Sequence, residues 1–177
     1  MVFKVSAVGM GTWALGGPFW AGDQPLGWGE VDDEESVRAV RRAFELGVTF
    51  FDTADVYGTG HAEEVLGRAL APLRSGVVIA TKWGNTYDAA SRQLTGSDAS
   101  PGYVRRAVEA SLRRLGTDYI DVLQLHIGPD RPWPATSSPP VRHSLRRVWC
   151  ARTDGAPTTR TGPGFAAGRH CAVVRTS

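Results

Sequence analysis

Residues 47–60 read GVTFFDTADVYGTG, and this stretch decides the fold of the chain around it. Residues 48–51 form a short run of β-branched and aromatic side chains between a glycine and a glycine-closed acidic loop, a pattern typical of a strand buried on both faces. Asp52 stands where the apolar run stops, and Tyr57 follows in the loop. We therefore expect a carboxylate and a phenol to face one pocket at the C-terminal end of this strand.

The chain on either side alternates between strand and helix patterns. Further strands are predicted near residues 5–10, 77–82 and 119–126. Helices are predicted from Asp32 or Asp33 to Gly47, over residues 61–73, and from the cap Ser100 to Gly116, whereas residues 85–99 are predicted to be a long polar loop. This alternation implies right-handed βαβ units and a parallel sheet.

Such a sheet belongs to one of two architectures: an open doubly wound sheet or a closed (β/α)8 barrel. No GxGxxG motif follows the first strand, which weakens the case for an open dinucleotide-binding sheet. Asp52, Lys82 and His126 each stand at the C-terminal end of a different predicted strand. Both architectures place active sites there, and barrels build them from several strands at once.

Four of these side chains together can transfer a proton to a carbonyl oxygen. A phenol is a poor proton donor at neutral pH, but a nearby ammonium group stabilises the phenolate. Lys82 can supply that charge to Tyr57, Asp52 can hold Lys82 charged and oriented, and His126 can hydrogen-bond a substrate oxygen. Since neither a metal-ligand set nor a thiol accompanies them, we expect the hydride to come from a cofactor.

The same residues lie in motifs that resemble the aldo-keto reductase family. Residues 51–58, FDTADVYG, are similar to the family's tetrad loop, and residues 62–70, AEEVLGRAL, to its helix signature. Residues 78–82, VIATK, resemble the lysine strand, and residues 111–126 resemble the stretch that ends in the tetrad histidine. The resemblance covers roughly residues 3–130.

This resemblance implies a (β/α)8 TIM barrel and reduction of aldehydes or ketones with NADPH, which becomes NADP+. It implies Tyr57 as the acid, Lys82 and Asp52 as the groups that tune it, and His126 as the group that orients the carbonyl. It further implies cofactor contacts by Gly11, Thr12, Trp13 and Asp52, and substrate contacts by Trp83 and His126.

The chain departs from the family pattern after residue 130. Residues 1–130 carry 17 acidic and 12 basic side chains and contain about four βα units, a partial barrel; residues 131–177 carry one acid and eight arginines. From Trp149 to Ala172 there is no Val, Ile or Leu, so we expect this tail to be disordered or non-native, as a frameshift in GC-rich DNA would produce. Half a barrel leaves two sheet edges unpaired, so we expect self-association or aggregation.

The remaining features limit the function classes. Both cysteines, Cys150 and Cys171, lie in the tail, and we identify neither a signal peptide nor a membrane span, so the expected location is the cytoplasm. His61 and Glu64 have a metal-ligand spacing without a third ligand, and we expect no metal site. The tail arginines lack aromatic interleaving, which disfavours nucleic-acid binding.

Two function classes follow. The first is an NADPH-dependent carbonyl reductase, which as a truncated chain is expected to be weakly active or inactive. The second is non-catalytic, either a cofactor-responsive binding subunit or a half-barrel that assembles with a partner chain.

Overall fold

The structure is a computed structural model that describes residues 4–127. It contains eight strands: β1 (Met10–Gly11), β2 (Trp20–Ala21), β3 (Gln24–Pro25), β4 (Phe50–Asp52), β5 (Val78–Trp83), β6 (Asn85–Asp88), β7 (Gln93–Ser97) and β8 (Val122–Leu125). Its three α-helices are α1 (Asp33–Glu45), α2 (His61–Leu70) and α3 (Pro101–Leu115). None of these helices has the length and apolar character needed to cross a lipid bilayer.

Four strands form a parallel sheet in the order β1-β4-β5-β8. Every neighbouring pair is parallel, and each crossover after β1 contains one of the three α-helices. The predicted βαβ succession and parallel sheet are therefore confirmed. Among the described strands, β1 and β8 are the two edges of this sheet.

The helix boundaries follow from their capping residues. Asp32 accepts a hydrogen bond from the Glu35 amide at 2.9 Å and begins α1, and Ser100 accepts one from the Tyr103 amide at 3.2 Å and begins α3. Gly116 ends α3 in the left-handed conformation, with φ of 62°. The second predicted helix is shorter than expected, because its chain tightens after Leu70 into a 3-10 turn over Ala71–Gly76.

Alternation along the strands separates two faces of the sheet. Phe51, Ile79 and Leu123 are buried on the face that packs against the helices. Asp52, Lys82 and Gln124 lie on the opposite face, since Asp52 pairs with Ala80 and Lys82 pairs with Gln124 in the register. The polar groups of interest are thus on the face turned away from the helices.

The first predicted strand is much shorter than expected. Only Met10–Gly11 pairs with β4, and residues 5–9 are not a strand. Ser6 and Thr49 join the two segments instead. The backbone amide of each residue donates to the side-chain hydroxyl oxygen of the other at 2.9 Å. These side-chain bonds take the place of ladder hydrogen bonds in this region.

The long loop predicted for residues 85–99 is wrong. Its residues form the antiparallel hairpin β6–β7, which belongs to a second sheet of order β3-β2-β7-β6. Trp20 pairs with Gln93, so the hairpin is held by a segment more than seventy positions earlier in the sequence. A local hydrophobic pattern does not report such a long-range partner.

Candidate active site

Lys82 lies at the C-terminal end of β5 and is the centre of the site. Its side chain is 9% exposed, and its Nζ donates to Asp52 Oδ2 at 2.6 Å and to the Thr53 carbonyl at 2.9 Å. Asp52 ends β4, the neighbouring strand, so the pair forms where two parallel strands finish side by side. A buried ammonium group needs such hydrogen-bond acceptors, here one carboxylate and one carbonyl.

Tyr57 reaches the same ammonium group from the loop after β4. The Lys82 Nζ lies 3.3 Å from the Tyr57 hydroxyl oxygen and 5.0 Å from the centre of its ring. The structure therefore places the Lys82 ammonium group in contact with both Asp52 and Tyr57. Their catalytic roles stay predictions.

A glycine-rich turn fixes the position of Tyr57. Gly58 has φ of 58°, and a Cβ atom there would overlap the backbone carbonyl of Gly16. Gly16 belongs to the 3-10 turn Trp13–Gly16, so the absence of a side chain at Gly58 lets two turns touch through their backbones. This close approach sets Trp13 above Tyr57: their rings are stacked with centroids 5.7 Å apart and planes 13° apart.

His126 follows β8 and lies edge-on to Tyr57, with ring centroids 5.9 Å apart. Its backbone amide donates to the Trp83 carbonyl at 2.7 Å, and its own carbonyl accepts from Asn85 Nδ2 at 2.6 Å. Burial and then the Lys82 charge lower the pKa of His126 to about 4, although Asp52 partly opposes them. The imidazole is therefore neutral near pH 7, and its Nδ1 atom is buried with no hydrogen-bond partner within residues 4–127.

The predicted cofactor contacts differ in how accessible they are. Gly11 is exposed, and a Cβ atom on it would meet nothing within 4 Å, so its backbone borders open space. Trp13 is 44% exposed. Thr12 is fully buried instead, and its Oγ1 donates to the Asp52 carbonyl at 3.1 Å. Thr12 thus ties the β1 turn to Asp52, and its contact with a cofactor stays a prediction.

Trp83 is not brought to the open side of the site. Its position next to Lys82 in β5 puts it on the helix-facing side, where it is 4% exposed and part of the main hydrophobic core. The substrate contact expected of Trp83 stays a prediction, and this burial does not support it. His61 and Glu64 are the pair whose spacing resembles that of metal ligands. The His61 Nε2 atom lies 2.7 Å from Asp33 Oδ1, and its Nδ1 atom lies 3.8 Å from Glu64 Oε2.

Two residues of the site were missed by sequence reasoning. Asn85 anchors the His126 backbone, but it lies in a segment predicted to be a loop. Gln124 shares a face with Lys82, and its Oε1 is buried without a hydrogen-bond partner in the described part of the chain. Its position one residue inside an apolar strand run, two before His126, was the available signal.

Comparison with known proteins identifies the family. The sequence profile of the "Aldo/keto reductase family" matches residues 7–151, most of the chain. The chain belongs to the aldo/keto reductase family. The match extends past residue 130, beyond the residues that the structure describes. The four-stranded parallel sheet of this chain is accordingly part of the (β/α)8 barrel of the aldo/keto reductases. The expected fold class is confirmed.

Individual aldo/keto reductases show how much is shared. "Aldo-keto reductase YhdN" of Bacillus subtilis is 38% identical over 125 residues, which is 70% of this chain and 34% of that protein. The holo form of aldo-keto reductase AKR11C1 from Bacillus halodurans matches with a TM-score of 0.58 and 36% identity, over 69% of this chain and 36% of that one. An aldo-keto reductase from Klebsiella pneumoniae in complex with NADPH matches with a TM-score of 0.51 and 35% identity, over 72% of this chain and 37% of that one. The chain thus spans about a third of the length of YhdN.

Proposed function

We propose that this chain reduces an aldehyde or ketone to an alcohol, with NADPH as the hydride donor and Tyr57, Lys82, Asp52 and His126 as the catalytic groups. The observation that carries this proposal is the contact of one buried ammonium nitrogen with both Asp52, at 2.6 Å, and the Tyr57 hydroxyl, at 3.3 Å. Membership of a family of oxidoreductases supports it.

The proton transfer follows from this geometry. The carbonyl carbon accepts a hydride and its oxygen accepts a proton, so one hydroxyl group forms for each carbonyl consumed. Tyr57 donates that proton, and the positive charge of Lys82 stabilises the phenolate that remains. Asp52 keeps Lys82 in place. Neutral His126 carries one ring proton, with which it can donate to the carbonyl oxygen and orient it.

Residues on the open face of the sheet fit the nicotinamide end of the cofactor. Gly11 leaves room for close approach, and Gln124 is a half-buried amide on the same face as Lys82 that can hydrogen-bond a carboxamide. Gly11, Trp13, Asp52 and Gln124 would therefore hold that ring. NADPH, when bound, supplies the hydride.

Binding and steady-state turnover test this function together. NADPH and, separately, NADH are titrated into the 177-residue chain, and consumption of the reduced cofactor is then followed with a small aldehyde. We expect NADPH binding and slow aldehyde-dependent consumption, as for a truncated chain, with kcat reduced by about a further 100- to 10,000-fold in Tyr57→Phe because the acid is lost. Tyr119→Phe, which lies before β8 at the end away from His126, is the matched control and should retain activity. Binding without turnover would favour the non-catalytic role, and no binding would contradict both.

Self-association is a separate proposal about partners. Within residues 4–127, β1 and β8 end the parallel sheet, and edge strands carry unpaired backbone groups that can pair with another chain. Light scattering over a range of concentrations tests this, and a monomer throughout the range would contradict it.

A further inference from the structure

Asp55 has a buried carboxyl group that the proposed proton transfer does not use. It lies two residues before Tyr57 and is 1% exposed, and its Oδ1 has no hydrogen-bond partner in the part of the chain described here. Its backbone amide donates to the Lys82 carbonyl at 3.1 Å, while Lys82 Nζ donates to the Thr53 carbonyl at 2.9 Å. Residues 53–57 are therefore fastened to Lys82 at two points, one on each side of Ala54.

Charged groups surround this carboxyl group, but their charges are already paired. Glu63 of α2 is fully buried and pairs with Arg114 of α3 at 2.7 Å. Glu63 also accepts a hydrogen bond from Thr81 at 2.5 Å. Lys82 is paired with Asp52. Neither nearby cation thus has Asp55 as its main partner.

Burial and the adjacent Glu63 charge raise the pKa of Asp55 well above its ordinary value, against the opposing effects of Arg114, the Val56 amide and Lys82. The other titratable groups that face it are Tyr87 of β6 and Tyr103 of α3. Burial raises the pKa of Tyr103 to about 12, and it raises the pKa of Tyr87 further, so neither adds a charge near pH 7. An ionised Asp55 would be a buried carboxylate beside a second carboxylate, which is strongly unfavourable.

We propose that Asp55 is a positioning residue: as a buried, un-ionised carboxylic acid within residues 53–57, it keeps the Tyr57 hydroxyl next to Lys82. Ionisation of Asp55 draws this segment toward water and separates Tyr57 from the ammonium group. The part of this inference that concerns catalysis rests on the proposed function, whereas the protonation state and the position of Tyr57 do not.

The sign of the pH effect follows from linkage. In the unfolded chain Asp55 ionises near its ordinary pKa of 3.8, whereas in the folded chain it keeps its proton to higher pH. The protein therefore loses stability as the pH rises from the pKa of Asp55 in the unfolded chain towards its raised pKa in the folded chain. Asp55→Asn cannot ionise and escapes this loss.

The test compares Asp55→Asn with Asp23→Asn, which changes an exposed aspartate in the turn between β2 and β3. Urea unfolding midpoints of the full chain are measured from about pH 5 to 8. We expect the midpoint of Asp55→Asn to exceed that of the unsubstituted chain by an amount that grows with pH. The difference for Asp23→Asn should not grow in this way. A pH-independent difference for Asp55→Asn, or a lower midpoint at pH 8, would overturn the proposal.

Two resonances report on the positioning role without requiring turnover. Titration of the Asp55 carboxyl carbon in the unsubstituted chain gives its protonation state directly, even if Asp55→Asn fails to fold. An ionised carboxyl at pH 7 overturns the proposal. The Tyr57 ring signal, displaced by the stacked Trp13, should be unchanged in Asp55→Asn at pH 7 and should move in the unsubstituted chain where Asp55 ionises. Ionisation without movement of Tyr57 refutes the positioning role while leaving the proposed reductase activity intact.

Discussion

The ammonium nitrogen of Lys82 lies 3.3 Å from the hydroxyl oxygen of Tyr57, although the two residues come from a strand end and from a separate loop. The contact depends on Asp52, which holds the ammonium group at 2.6 Å. It also depends on the backbone contact between Gly58 and Gly16, which fixes the loop. The position of the Tyr57 hydroxyl is thus set by residues outside Tyr57 itself.

Replacing Lys82 by methionine removes the charge and keeps most of the side-chain volume. We expect kcat to fall by about 100-fold or more, because the phenolate of Tyr57 loses its stabilising cation. Unfolding should require about 1–3 kcal/mol less free energy, since the Asp52 carboxylate and Thr53 carbonyl lose their donor. Turnover and urea unfolding measure the two effects. Lys4→Met, at an exposed position, should change neither, and equal kcat values for both variants would contradict the role of Lys82.

We expect His126 to make the folded chain sensitive to mild acid. Its pKa is lowered to about 4 in the folded state, so the unfolded chain binds a proton at higher pH than the folded chain does. The resulting stability is present above about pH 6.5 and is lost as the pH falls towards 4. We expect the urea midpoint of His126→Asn to decline less between pH 7 and 5 than that of the unsubstituted chain. Parallel declines would show that His126 is not the acid-sensitive group.

Gly58→Ala tests the backbone contact beneath Tyr57. The substitution combines an unfavourable positive φ, which costs about 1 kcal/mol, with a clash against Gly16 that adds about 1–3 kcal/mol. Gly22→Ala is a matched control, because Gly22 has φ of 60° but open space where the Cβ atom would lie. We expect Gly58→Ala alone to weaken the Trp13–Tyr57 stack, as seen in near-ultraviolet circular dichroism. A similar loss of the near-ultraviolet signal in Gly58→Ala and Gly22→Ala would indicate that only the positive φ angle matters.

The parallel sheet and its helices could be predicted because their signals are local. The cap at Asp32, the Ser100-Pro101 start and the stop at Gly116 all act within one helical turn, and the structure begins and ends α1 and α3 near them. The second sheet escaped prediction because β2 and β7 pair across the chain. The Gly22-Asp23 dipeptide between β2 and β3 was the one short-range sign of a hairpin there.

The same difference between local and long-range signals decides which parts of the site could be predicted. Asp52, Lys82 and His126 were expected at strand ends, and parallel strands finish together, so their proximity could be anticipated. To predict the burial of Trp83, one must know which face of β5 carries Lys82, because adjacent strand residues point in opposite directions. The environment of Asp55 could not be foreseen, since Glu63 and Arg114 reach it from two different helices.

Single-turnover transfer of deuterium tests the proposed reaction most directly. The full chain is mixed with a small aldehyde and NADPH in which both hydrogens of the reactive carbon are deuterium, and the alcohol is analysed by mass spectrometry. This detects transfer even when steady-state turnover is slow. We predict that the unsubstituted chain forms alcohol with one deuterium on the former carbonyl carbon, at a rate at least about 100-fold above that of Tyr57→Phe. Absence of deuterated alcohol, or equal rates for the two proteins, would contradict carbonyl reduction through Tyr57.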